Sequence, residues 1–105
     1  MTKVTYNSAE FIITMDGHAG YGPAGQDIVC AGLSTLIQAV HASLKSRGIR
    51  YFLDLAEPEG FVSLKAYPKA EQRYPCTVIF DTAAEGFKLL ADNYPDYVQY
   101  IKEAF

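Results

Sequence analysis

The apolar positions of this chain change period along its length. Residues 3–7 and 10–15 are short runs rich in Val, Thr, Tyr, Phe and Ile, separated by Asn7, Ser8 and Ala9, and this predicts a hairpin. The second run is almost continuously apolar, as expected of a central strand covered on at least one face. From Asp27 to about Ser46 the period becomes helical, with Val29, Leu33, Leu36, Ile37, Val40 and Leu44 falling on one stripe. Asp27 is a natural N-cap for that helix, and Gly48, after Lys45 and Arg47, a natural stop. Residues 51–55 and 61–67 read as a second hairpin around a Glu57-Pro58-Glu59-Gly60 turn, where proline suits the second position and glycine the last. Residues 68–73 read as a polar connection.

Residues 75–93 fit two patterns. Pro75 at the first helical position followed by Ile79, Ala83, Phe87, Leu90 and Ala91 suits one long helix. Thr77 to Phe80, followed by a capping box of Thr82 with Glu85, suits a strand and a shorter helix. The single helix is preferred. Pro95 ends it, and residues 97–101 alternate like a last strand. The resulting order, ββαββαβ, predicts an α+β fold: a two-layer sandwich of a mainly antiparallel sheet with two helices on one face.

Composition narrows the function without naming it. A chain of 105 residues, half of them hydrophobic, makes one folded domain spanning 1–105. A net charge of −3 with scattered signs gives no electrostatic footprint for nucleic acid. No uninterrupted apolar run reaches the roughly 18 residues of a membrane span, and the basic-then-apolar order of a signal peptide is missing, so the expected location is cytoplasmic. Cys30 and Cys76 are then expected as free thiols, and without a Cys-x-x-Cys pair no metal is expected.

The chemistry concentrates where His18 and a glycine-studded loop run into the first helix. A cysteine in a first helical turn has its thiolate favoured by unpaired amides and the helix dipole, and a nearby imidazole completes a nucleophile and base. Helical geometry puts Cys30 at the border of the apolar stripe, beside Ser34 and His41, hence partly buried. Asp27 is a cap whatever else it does, and the same carboxylate could orient His18. Backbone amides around residues 29–31 are the expected oxyanion donors. The glycine spacing fits neither a dinucleotide loop nor a P-loop, so no cofactor is expected. Without further context the bland readings hold: Cys30 as a small hydrophobe, His18 as a surface residue, and structural roles for Ser34, His41 and Cys76.

Gly17-His18-Ala19-Gly20-Tyr21, together with Gly25 through Leu36 (Gly-Gln-Asp-Ile-Val-Cys-Ala-Gly-Leu-Ser-Thr-Leu), resembles the signature of the bacterial ribosomal-processing cysteine proteases, the Prp family. Gly86 in the second helix and Tyr94-Pro95-Asp96-Tyr97 after it extend the resemblance along nearly the whole chain. The resemblance implies a homodimeric endopeptidase that removes a short N-terminal extension from a large-subunit ribosomal protein precursor. It makes Cys30 the nucleophile and His18 the base, with Asp27 in support. The loop at residues 20–25 becomes a mobile element admitting the peptide, and Gly20, Tyr21, Gly22 and Ser34 its expected contacts. The alternative is a non-catalytic dimeric module that keeps the fold and binds a peptide or other ligand during ribosome assembly.

Overall fold

The computed structural model describes residues 1–23, 25–56 and 60–104. Five strands form one sheet in the order β3-β4-β2-β1-β5, with β1 at Thr2–Asn7, β2 at Ile12–Asp16, β3 at Arg50–Ala56, β4 at Phe61–Tyr67 and β5 at Val98–Glu103. Neighbours pair antiparallel except β5, which lies parallel to β1, so the sheet is mixed. Helices α1, Ile28–Ser46, and α2, Arg73–Asn93, complete the predicted order.

The first hairpin differs from expectation at its turn. The Asn7 side chain accepts hydrogen bonds from the amides of Ala9 and Glu10, both at 3.1 Å, which draws residues 8–11 out of the ladder. Phe11 sits at φ 54°, a left-handed conformation unusual for a bulky side chain, and this turns its ring inward against Phe80. Strand β2 therefore starts at Ile12 rather than at Glu10. The second hairpin forms as expected on its strands; its turn residues 57–59 lie outside the described residues, while Gly60 follows at φ 70°.

Helix α1 buries Val29, Leu33, Ile37, Val40 and Leu44 of the predicted stripe, while its remaining member, Leu36, is only half-buried. Each such side chain contributes about 1.5–3 kcal/mol of burial. By length and apolar content alone α1 would also suit a membrane span; its stripe is instead the centre of the core, packed with Val4, Tyr6, Ile13 and Leu64. Gly48 at φ 67° follows the Arg47 C-cap and ends the helix as predicted.

Residues 75–93 are one helix, but it begins earlier than the proline suggests. A 3₁₀ turn at Ala70–Gln72 leads straight into Arg73, so much of the expected polar connection is helical. Pro75 is thus the third residue of α2, not the first, which the helix accepts because its first four N–H groups have no intrahelical partner. Thr82 caps no second helix; its hydroxyl donates to the Val78 carbonyl one turn back. Gly86 lets α1 and α2 approach closely, since a Cβ there would lie 2.7 Å from Leu36 Cδ2. Strand β5 runs slightly later than the alternating residues 97–101 indicate.

Candidate active site

The site forms where the end of β2, the start of α1 and Gly60, just ahead of β4, meet. Helix α1 needs an acceptor at its start, and Asp27 supplies it: one carboxylate oxygen takes the amides of Val29 and Cys30, each at 3.0 Å. The other oxygen takes the loop amides of Tyr21 at 3.0 Å and Gly22 at 3.2 Å. The Cys30 amide is the largest cause holding the Asp27 carboxyl below its ordinary value, with the Gly22 amide, the Cys30 thiol and the Tyr21 amide acting the same way against partial desolvation. Asp27 is therefore both the helix cap and the anchor of the glycine loop.

This arrangement occupies the expected oxyanion donors. The amides of Val29 and Cys30 point to the Asp27 carboxylate and that of Ala31 to the Asp27 carbonyl at 3.0 Å. In this form they are turned to the cap rather than offered to a substrate oxygen, a use the sequence pattern does not reveal.

Cys30, the third residue of α1, is half-buried as its place on the helix implied. Its side chain and that of His18 line one cleft of about 170 Å³, together with Ser34, Thr2, Phe61 and Val62. His18 is exposed, two residues beyond β2, behind the buried Ala19. The residue before it is held at both backbone groups: the Gly17 amide donates to the Gly60 carbonyl at 3.1 Å and the Thr2 hydroxyl to the Gly17 carbonyl at 3.0 Å. The imidazole lies against Gly60, where an added Cβ would fall 2.9 Å from ring atoms Cε1 and Nε2. Glycine at 60 thus serves both its positive φ and the histidine.

The predicted residues divide into two groups. His18, Cys30 and Ser34 share the cleft. Gly20, Tyr21 and Gly22 form the loop hung on Asp27, and the Tyr21 ring packs edge-on against Tyr94 and Tyr97, at centroid distances of 5.4 and 5.1 Å. Sequence reasoning passed over Thr2 and Gly60, which support His18 from 16 and 42 residues away in the chain. A buried threonine and a turn glycine carry no local signal of such a task.

Comparison with known proteins decides the family. The description of cysteine protease Prp matches residues 1–99. The chain belongs to this family. Prp proteins are cysteine proteases, hence hydrolases, engaged in ribosomal processing. The ribosomal processing cysteine protease Prp of Bacillus subtilis (strain 168) is 28% identical over 86 residues, covering 78% of this chain and 76% of that protein. The essential ribosomal processing protease Prp from S. aureus, in complex with a covalently linked product peptide, superposes with a TM-score of 0.85 at 19% identity, over 98% of this chain and all of the other. The same S. aureus protease with a substrate peptide gives 0.76 at 19% identity, over 97% of each chain. At that identity the two structures speak for the Prp fold, which this α+β chain shares.

Proposed function

We propose that this chain is a homodimeric cytoplasmic endopeptidase that removes the N-terminal extension of a large-subunit ribosomal protein precursor. The observation that carries the reading is the shared cleft of His18 and Cys30 at the capped start of a helix. In the proposed reaction His18 accepts the Cys30 thiol proton and the Sγ attacks the scissile carbonyl carbon. The C–N bond breaks as His18 returns the proton to the leaving amine. Water, deprotonated by the same imidazole, then hydrolyses the thioester and restores the thiol. The peptide-bound structures of the S. aureus protease support this reading through the common fold.

The test is incubation with the host's own precursor, read by mass spectrometry. A single cut giving two fragments whose masses sum to the precursor plus one water is expected. An intact precursor after prolonged incubation with a folded protein whose Cys30 alkylates freely would refute the protease and leave the binding module.

A further inference from the structure

Cations that are scattered along the sequence gather at one end of the fold. Residues 45–53 and 64–74 hold six of the nine Lys and Arg side chains, Lys45, Arg47, Arg50, Lys65, Lys69 and Arg73, and one of the twelve carboxylates, Glu71. Their contacts bring the two segments together. Arg50 pairs with Tyr67 across β3 and β4, and the Gln72 side-chain amide donates to the Gly48 carbonyl at 3.3 Å. The Arg73 guanidinium sits 5.2 Å over the Phe11 ring, and the Phe11 carbonyl accepts from the Ala66 amide. All six are exposed except Lys65, which is half-buried. A net charge of −3 conceals this end, because the remaining residues carry the other carboxylates.

Aromatic rings are open at the same place. Phe52 pairs with Lys65 and Arg50 with Tyr67, while the alternate pair, Leu53 with the fully buried Leu64, faces the core. Arg50, Phe52, Lys65 and Tyr67 therefore share the face of the sheet turned away from α1 and α2. The Tyr67 ring holds both cations, with Arg50 Cζ at 5.0 Å and Lys65 Nζ at 5.1 Å from its centroid. Phe52, 62% exposed, is left as the open ring between them. Tyr74, next to Arg73 in the chain, is 79% exposed.

We propose that this face binds single-stranded RNA, a base stacking on Phe52 while Arg50 and Lys65 hold the flanking phosphates and the cations at the rim draw the strand in. The alternation of ring and cation selects the occupant. An acidic peptide would use the cations and leave Phe52 idle, and a duplex keeps its bases stacked on one another, out of reach of the ring. A second copy of this chain, related by a two-fold axis, would set six cations against six. Membership of a family engaged in ribosomal processing selects RNA over DNA. The face is also remote from the thiol: Lys45 lies about 22 Å beyond Cys30 along α1 at 1.5 Å per residue, so a bound strand leaves the His18 cleft open.

The probe is a fluorescein-labelled single-stranded RNA of about twelve nucleotides, offered to the whole chain and read by anisotropy beside its duplex and poly-glutamate. The single strand should bind at least about tenfold more tightly than either, and its log K should fall against log salt with a slope of about −0.7 per phosphate held. Phe52→Ala should weaken binding about fivefold or more with the slope and the melting temperature unchanged, and Phe52→Tyr should restore it. Arg50→Gln combined with Lys65→Gln should instead flatten the slope by about 1.4. Ultraviolet crosslinking in the host should give an adduct that RNase removes and DNase does not. Poly-glutamate or duplex binding as tight as the single strand, parental binding by Phe52→Ala, or an adduct sensitive only to DNase overturns the proposal. So does the absence of RNA binding at about 50 mM salt, where such contacts are strongest.

Discussion

Cys30 and Cys76 both stand in the first turn of a helix, and the structure gives them opposite surroundings. Cys30 is the third residue of α1, half-exposed, on a turn capped by Asp27 and in a cleft shared with His18. Cys76 is the fourth residue of α2, fully buried in the core, behind an N-cap residue whose side chain makes no capping bond. Burial pushes the Cys76 thiol up to about 11, with Arg73 pulling weakly the other way. A helix start therefore does not make a nucleophile by itself. Loss of water outweighs the helix dipole at Cys76, and what distinguishes Cys30 is access, a cap and an imidazole.

The largest expected effect breaks or keeps that comparison directly. Cys30→Ala should lower precursor cleavage by more than about 10³-fold while leaving the protein folded. Cys76→Ala should keep most activity and cost about 1–2 kcal/mol of stability for the small cavity. Iodoacetamide near neutral pH should label Cys30 in the native protein and Cys76 only after unfolding, as read by peptide mapping. The alkaline limb sharpens the contrast. The Cys76 thiol rises from 9.0 to about 11 on folding, so its contribution to stability is full below pH 9 and is lost as pH climbs through 11. Native labelling of Cys76 ahead of Cys30 would reverse the assignment.

A smaller effect concerns the imidazole that shares the Cys30 cleft. His18→Ala should lower turnover about a hundredfold, the scale of losing a general base. Thr2→Val keeps the buried volume but takes the donor from the Gly17 carbonyl that precedes His18. It should cost about 1–3 kcal/mol of stability and lower kcat about tenfold with little change in KM. Thr2→Ser should restore both. Equal loss in the Ser and Val variants would make Thr2 a packing residue with no part in placing the imidazole.

The two cysteines also mark how far the sequence could be read. Helix α1, its cap and its stop were legible because periodicity, Asp27 and Gly48 are local and agree with one another. The second helix was legible as an element and not at its start: Pro75 suits a first position, but the 3₁₀ turn at Ala70–Gln72 carries the helix back to Arg73. That Cys30 and His18 share one cleft was legible through their motif. Its support was not. Thr2 reaches Gly17 across 15 residues and Gly60 reaches His18 across 42, contacts that arise only when β1, β2 and β4 are side by side. The turn of residues 8–11 was missed for a different reason: Phe11 looks like a strand residue, and the pattern shows neither its positive φ nor the Asn7 side chain taking the amides of Ala9 and Glu10.

The smallest effect expected is at Asp27, where the comparison turns from the thiols to what caps their helices. Its two oxygens divide their work, one holding Val29 and Cys30 and the other holding Tyr21 and Gly22. Asparagine caps a helix about as well as aspartate, but its NH₂ group cannot accept from the loop amides. Asp27→Asn should therefore keep α1, release the loop that Tyr21 otherwise pins between Tyr94 and Tyr97, and lower kcat/KM for the precursor roughly three- to tenfold. The pH dependence identifies the cause. The folded carboxyl titrates below its ordinary value of 3.8, so its stabilisation is complete above that pH and is lost as pH falls through the lower folded value. The parent should melt a few degrees above Asp27→Asn at pH 7, and the gap should close below pH 3.8. A gap that persists unchanged at low pH would mean that the charge is idle and only the shape of the cap matters. Undiminished cleavage by the variant would mean that the loop needs no anchor to Asp27 for catalysis, leaving the cleft of His18 and Cys30 sufficient on its own.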